Sequence, residues 1–327
     1  MSVPLRYRIR NWFLRILARL AIFLVCLVPE RAAYAFARGV AALAGAVLAG
    51  HVRIGKANVA LVLGTESGAE RARIVRASLV NLAYTMIEFI RMGKYPGERV
   101  KEMIVEERGG GIAELRRLLE DGKGLIGLGM HLGNWELSGA YIALSGLPMY
   151  AVGKEQRDPY FTNLAFPWRE RHGIVNIFSG AKLNPNIVRA LKNNCVLGLL
   201  ADQNGGKTGI FAPFCGIEAS NVAGPAALHL KFGSPLVPIV AWRISPGKLV
   251  FEVGRPVETG DVLADAASPN PSLSHEERLR EVTRRVNLAY EKLVREHPEQ
   301  WLWIHKRFKT RPPGEPDVYA RMAVGVR

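Results

Sequence analysis

Between residues 57 and 92 apolar positions recur every three to four residues, through NVALVLG and then ERARIVRASLVNLAYTMIEFIRMGKYP. That is a helical period, and Pro96-Gly97 stops it. Downstream the pattern becomes short apolar runs set between helical stretches. Residues 113–120 read as a helix, Asp121-Gly122 as a turn and 124–130 as a buried strand, with another helix after His131. Further strands are predicted at 147–152, 196–201, 236–242 and 248–253, and helices at about 161–172, 185–192 and 224–232 lie between them. Strands alternating with helices give an α/β fold. Residues 259–275 are polar and proline-bearing, a predicted loop, and 276–296 form a charged amphipathic helix. There is no internal repeat and no low-complexity tract.

The N-terminus departs from this pattern through charge. Its first 56 residues hold nine basic side chains against one acid, Glu30. Residues 12–28 (WFLRILARLAIFLVCLV) are strongly apolar, yet Arg15 and Arg19 interrupt them and share one helical face. The uncharged run 20–28 falls short of the roughly 20 residues that cross a bilayer. It reads as a helix lying in the membrane interface, its arginines toward anionic headgroups. The run 39–50 (GVAALAGAVLAG) is also short and is expected to pack against that first helix. Two other readings stand beside this one. Ala33-Tyr34-Ala35 mimics the cleavage site of a secretory signal, although arginines break the apolar stretch and cysteines are few. A buried core helix with snorkelling arginines is the other. The expected division is 1–56 as a membrane-associating helical segment, 57–311 as one α/β domain and 312–327 as a tail.

Composition narrows the function classes. With 327 residues and 49% hydrophobic content the chain has ample material for a core, which excludes global disorder. Three cysteines, Cys26, Cys195 and Cys215, form no CxxC pair. They exclude a disulfide scaffold and a structural zinc site, and suit a reducing, cytosol-facing location. Lys and Arg number 44 against 29 Asp and Glu, a net charge of +15, so an anionic partner is expected. A nucleic-acid binder would set its basic residues among aromatics on a sheet or recognition helix. Here more than half of the excess sits in an apolar segment suited to anionic lipid, and no nucleic-acid partner is expected.

The chemistry concentrates in Gly129-Met130-His131-Leu132-Gly133-Asn134-Trp135-Glu136-Leu137. On a continuous helix His131 and Glu136 would lie about 140° apart, too far to cooperate. They can cooperate if the strand ends before His131, Gly133 turns the chain, and Asn134 caps a helix holding Glu136 in its first turn. Glu136 is then expected to hydrogen-bond one imidazole nitrogen and raise the basicity of the other, an oriented general base for a hydroxyl. Asp202-Gln203 follows an apolar strand, where α/β sites gather, in either a loop-capping or a substrate-contacting role. Trp301 and Trp303 are read as packing, His172 and His305 as structural, and Cys195 and Cys215 as small hydrophobes. No metal-ligand cluster is present, and 204–209 (NGGKTG) lacks the spacing of a phosphate loop.

These segments resemble one family, the bacterial lipid A biosynthesis acyltransferases (the lauroyl/myristoyl-type late acyltransferases) within the lysophospholipid acyltransferase group. GMHLGNWE, with His131 and Glu136, is similar to its HX4(D/E) motif. Lys154-Glu155-Gln156-Arg157-Asp158-Pro159 resembles its arginine-bearing block, Arg171-His172-Gly173 its next arginine-glycine step, and Asp202-Gln203 its DQ block. Residues 211–216, the run Gly224-Pro225-Ala226-Ala227 and the closing HPEQWLWIHKR complete a collinear likeness over about 58–307.

The resemblance implies a mixed sheet flanked by helices, and acyl transfer from acyl carrier protein or coenzyme A thioester to a hydroxyl of a lipid A precursor. It implies His131 and Glu136 as catalytic residues and no resident cofactor or metal. Arg157, Arg171, Asn134, Asp202 and Gln203 are the candidate substrate contacts, the arginines suited to phosphate and Arg157 or backbone N–H groups near Gly133 to an oxyanion. Acidic acyl carrier protein and anionic membrane lipid are the expected partners. The expected place is the cytoplasmic face of the bacterial inner membrane, held peripherally or by a single N-terminal anchor. A phosphatidylinositol mannoside-like acceptor, or an inactive membrane scaffold of the same fold, are the alternatives.

Overall fold

The computed structural model describes residues 5–153, 159–178, 180, 183–269 and 271–320. Its first half runs α1 (Leu5–Leu27), α2 (Glu30–Val47), α3 (Ala49–Leu63), α4 (Gly68–Met92), α5 (Gly97–Glu102), β1 (Ile104–Arg108), α6 (Gly111–Leu119), β2 (Leu125–Gly129), α7 (Trp135–Leu144), β3 (Met149–Gly153) and α8 (Pro159–Glu170). Its second half runs β4 (Ile174–Phe178), α9 (Pro185–Lys192), β5 (Val196–Leu200), β6 (Ile210–Phe214), β7 (Ile217–Asn221), α10 (Gly224–Phe232), β8 (Leu236–Ser245), β9 (Lys248–Val253), α11 (Gly260–Ala267) and α12 (His275–Glu296).

The fold is α/β with a mixed sheet, as expected. Seven strands follow the order β1-β9-β8-β2-β5-β3-β4, and every neighbouring pair is parallel except β8 with β9. β6 and β7 form a separate antiparallel hairpin. β2 lies mid-sheet between β5 and β8, so the carboxyl ends of β2 and β5 share one edge, where open α/β sheets place their sites.

Strand side chains alternate between faces, and each face has its own core. Ile126, Leu128 and Met130 join one cluster with residues of α3, α4, α9, α10 and α12. Leu125 joins the other with α6 and α7, and on that face β2 continues with Gly127 and Gly129, which leave room under α7.

Three departures from the predicted elements have plain causes. β1 has four exposed residues of five, an edge strand with no apolar run to announce it. β4 is five residues long with a central Asn176. The predicted loop 259–275 contains α11, a short helix whose single buried residue is Val262.

The N-terminal helices differ from expectation in two respects. α2 lies along α4 rather than α1, because Ala33, Ala37 and Ala41 form a small-residue seam that admits close approach, with Ala33 and Ala37 clustering with Tyr84 and Ile87. The run 39–50 is mostly exposed. Arg15 and Arg19 turn onto α8: their guanidinium groups lie 5.5 and 5.6 Å from the ring centre of Tyr160, a cation–π arrangement, and the Arg19 Nε donates to its hydroxyl at 3.3 Å. Residues 56 and 57 both fall inside α3, whose Asn58, Val59 and Val62 are buried. In the tail, the Tyr319 hydroxyl donates to Asn58 Oδ1 at 2.8 Å.

Among the described residues no single helix is long and apolar enough to cross a membrane; α2 and α3 meet that measure only as a pair bent by 92°. Both leading helices expose apolar residues at helical spacing, Ile16, Leu20, Phe23 and Leu27 on α1 and Phe36, Val40, Leu43 and Val47 on α2.

Candidate active site

The turn after β2 forms as its sequence demands. Gly133 has φ +63°, and a Cβ there would stand 2.1 Å from the Ala241 carbonyl oxygen, so only glycine fits. Asn134 caps α7, its Oδ1 accepting from the N–H groups of Glu136 and Leu137 at 3.1 and 3.0 Å. Glu136 therefore occupies the first turn of α7, at its positive end.

The partner of His131 is Asp202. β2 and β5 pair Gly129 with Leu200, so the residues two positions beyond each strand end meet. Asp202 Oδ1 lies 2.8 Å from His131 Nδ1, and its Oδ2 accepts from the His131 backbone N–H at 2.9 Å and from Trp301 Nε1 at 2.8 Å. A carboxylate only accepts, so Nδ1 carries the proton and Nε2 the lone pair. Burial works against the charged imidazole, but the charge and hydrogen bond of Asp202, with the charge of Glu136 behind them, raise the His131 pKa above its ordinary value. Burial likewise opposes the Asp202 carboxylate, and His131 and Trp301 more than offset it, holding its pKa low.

The expected hydrogen bond from Glu136 to the imidazole is thus corrected. Glu136 is engaged elsewhere: Arg169 donates to it through Nε at 2.7 Å and Nη2 at 2.6 Å, and Trp135 Nε1 donates at 3.1 Å. The bidentate pair takes both carboxylate oxygens, and the Trp135 ring, which donates to Glu136, has its centre 5.1 Å from that of His131.

The remaining candidates sort themselves by position. Arg171 is exposed just past the end of α8, while Arg169, two residues earlier, enters the site. Asn134 is fully buried, with its oxygen on the cap and its nitrogen on Glu88 at 2.7 Å, which makes it a scaffold for the turn. Gln203 is half-buried beside Asp202. Arg157 lies outside the described residues. The N–H groups of Gly133 and Asn134 are taken by the carbonyls of Gln300 at 3.3 Å and Ala241 at 2.7 Å, so neither serves an oxyanion.

Arg169 was missed because PWRERHG offers two arginines two positions apart and nothing local favours the first. Trp301 does pack, edge-on against Trp303, and it also holds Asp202. His172 and His305 are structural: the first donates through Nε2 to the Met92 carbonyl at 2.7 Å, and the second accepts from the Asn204 N–H at 3.1 Å.

Beside this cluster an apolar cavity runs between the sheet and α7, from Trp135, Glu136 and Arg169 at its mouth to Met149 and Ile174. Gly129 and Gly198 on the strands and Gly139 on α7 line it. A Cβ on Gly198 would stand 2.6 Å from the Met149 ε-carbon, and one on Gly139 3.4 Å from Ile174, so these glycines set the bore. The strand pattern carried the signal, since Gly127 and Gly129 alternate along β2 with Ile126 and Leu128 and so fall together on one face.

The profile of the bacterial lipid A biosynthesis acyltransferase family matches residues 4–310. A lipid A biosynthesis palmitoleoyltransferase of Escherichia coli is 27% identical over 273 residues, 81% of each chain. The lauroyltransferase of the same organism is 24% identical over 303 residues, 91% of this chain and 92% of its own. A phosphatidylinositol mannoside acyltransferase of Mycolicibacterium smegmatis is 27% identical over 190 residues, 57% of this chain and 61% of its own. With the match spanning nearly the whole chain, and the His131–Asp202 and Glu136–Arg169 pairs gathered at the carboxyl edge of its sheet beside the cavity, this protein belongs to the bacterial lipid A biosynthesis acyltransferase family and is an acyltransferase.

Proposed function

We propose that the chain moves a fatty acyl group from an acyl thioester, on acyl carrier protein or coenzyme A, to a hydroxyl of a lipid A precursor at a membrane surface. One observation carries the reading: the His131–Asp202 pair stands beside an apolar cavity whose mouth holds Glu136 and Arg169. His131 Nε2 takes the acceptor proton as the hydroxyl oxygen attacks the thioester carbonyl. Asp202 stabilises the imidazolium, the C–S bond breaks as the C–O bond forms, and His131 returns the proton to the departing thiolate. The Arg169 guanidinium and the positive end of α7 favour the developing oxyanion. Glu136 holds Arg169 in place. The cavity takes the acyl chain, with Met149 and Ile174 at its floor.

The exposed apolar faces of α1 and α2 seat the enzyme on the bilayer, each buried leucine or phenylalanine contributing about 1.5–3 kcal/mol. Leu43→Glu with Val47→Glu then releases the protein from vesicles, read by sedimentation. The positive excess suits acidic acyl carrier protein, so rising salt weakens a carrier-protein donor more than a small thioester. A phosphatidylinositol mannoside-type acceptor is the second reading, favoured by the 190-residue match to such an enzyme.

The test is acyl transfer by purified protein in detergent, with both thioester donors and both acceptor classes, beside His131→Ala. A loss of about a hundredfold or more in His131→Ala is expected for a general base. Full activity in that variant sinks the mechanism, and transfer only to the mannoside acceptor reverses the choice of substrate.

A further inference from the structure

From its buried side α4 presents three polar side chains, Asn81, Thr85 and Glu88, at spacings of four and three that place them on one face. All three act on the turn that carries the site. The Thr85 hydroxyl donates to the Gly133 carbonyl at 2.7 Å and the Asn81 amide to the same oxygen at 3.2 Å. Glu88 accepts from the Asn134 amide nitrogen at 2.7 Å. A primary amide has one donor end and one acceptor end. Anchoring the donor end on Glu88 turns Oδ1 toward the first N–H groups of α7, which is the cap itself.

Arg243 of β8 closes the other side of this carboxylate. Its Nη2 donates to Oε2 at 2.7 Å, its Nη1 to Oε1, and its Nε to Asn81 at 3.0 Å. Tyr34 of α2 donates to Oε1 at 2.8 Å. A sealed ion pair gains little in stability over apolar packing, whereas its directional bonds admit one orientation of the amide.

We infer that Glu88 is a positioning residue for the transfer reaction. Without touching substrate, it fixes the flip of Asn134 and so places Glu136, with Arg169, at the cavity mouth. This rests on the acyl-transfer reading for its kinetic consequences and on geometry alone for its structural ones.

Asn134→Asp separates the two. Asp caps helices as well as Asn does, so an ordinary cap would tolerate it. Here the new carboxylate meets Glu88 and cannot donate to it. Glu88→Gln in the same chain reverses the pairing: the introduced amide donates to the new carboxylate, its oxygen still accepts from Arg243 and Tyr34, and the cluster keeps its net charge.

The experiment uses the full chain in detergent, with kcat and KM for the thioester, and hydrogen exchange by mass spectrometry at the first turn of α7. Asn134→Asp is expected to lower kcat about 10- to 100-fold, as for an Ångström-scale misplacement, with the thioester KM little changed. Exchange at the Glu136 and Leu137 amides rises with it. The double variant recovers kcat by about fivefold or more over Asn134→Asp, and recovers the protection. A double variant no better than either single one overturns the inference, as does unchanged exchange in Asn134→Asp. Should Asn134→Asp fail to fold, Tyr34→Phe removes only a hydroxyl and keeps the ring against Tyr84. It is expected to raise exchange at the same two amides, and unaltered exchange overturns the inference. A wild-type chain that transfers no acyl group removes the acyl-transfer reading, and the exchange result still decides whether Glu88 holds the cap.

Discussion

Two carboxylate–guanidinium pairs flank the turn between β2 and α7, and their surroundings set them apart. Glu88 and Arg243 are sealed, with side-chain exposures of 0% and 6% and neighbours on α2, α4, α7 and β8. Glu136 and Arg169, at 8% and 18%, line a cavity. The sealed pair has every bond directed at protein, so losing either partner strands a charge where water cannot reach. The cavity pair faces space that substrate can fill, so its charge is available to a reaction. In the proposed reading, one pair around this turn sets position and the other meets the chemistry.

Substitutions at the two arginines are the strongest way to break that contrast. Arg243→Met leaves the sealed Glu88 carboxyl without its guanidinium partner, at a cost of about 3–5 kcal/mol of folding stability in urea titration. Arg169→Met costs about 2 kcal/mol or less, because Glu136 keeps the Trp135 indole and the cavity. Its acyl transfer falls about a hundredfold or more. Equal destabilisation by both would erase the distinction.

The third buried carboxylate sharpens it. Asp202→Asn removes the charge that raises the His131 pKa and leaves burial, which lowers it, as the main influence. In the proposed mechanism activity needs neutral His131, so the acid limb of the pH–rate profile is expected above the ordinary imidazole value of about 6.5 in the wild type. The limb moves to lower pH in Asp202→Asn, while the plateau falls by about 100-fold or more. A plateau loss with an unmoved limb would leave Asp202 a structural residue.

The smallest effect tests the cavity alone. In Gly198→Ala the added methyl displaces the end of Met149 toward the bore, and selectivity turns about tenfold against the longest acyl chain the wild type accepts. Met149→Ala shifts it the other way. Product chain lengths by mass spectrometry read both, and an identical distribution in all three proteins would remove the cavity from acyl recognition.

Much of the site was legible because its local logic fits within one turn of chain. Gly133 as the turn, Asn134 as a cap and Glu136 in the first helical turn follow from residues a few positions apart. What escaped was the identity of the partners. The imidazole was assigned to Glu136, five residues away, when Asp202, 71 residues away, holds it. Arg169 and Arg171 looked alike from sequence, and α8 brings only the first to Glu136. The polar stripe Asn81, Thr85 and Glu88 was visible inside an apolar helix, yet nothing in the helix names what lies opposite.

The sequence by itself determined the alternation of strands and helices, the turn that ends β2, the capped start of α7 and the family. The family rests on motifs collinear over most of the chain; the others depend on backbone preferences and side-chain reach over three to five residues, which no distant contact needs to supply. Only the tertiary structure decided which carboxylate meets His131, which arginine meets Glu136, and where α2 lies. Those pairings depend on β5 sitting beside β2 although β3 and β4 intervene in the chain, on the register that aligns Gly129 with Leu200, and on which helix meets the alanine seam of α2. Strand order and helix docking are settled by burial summed over both faces of the sheet, a quantity no single segment contains.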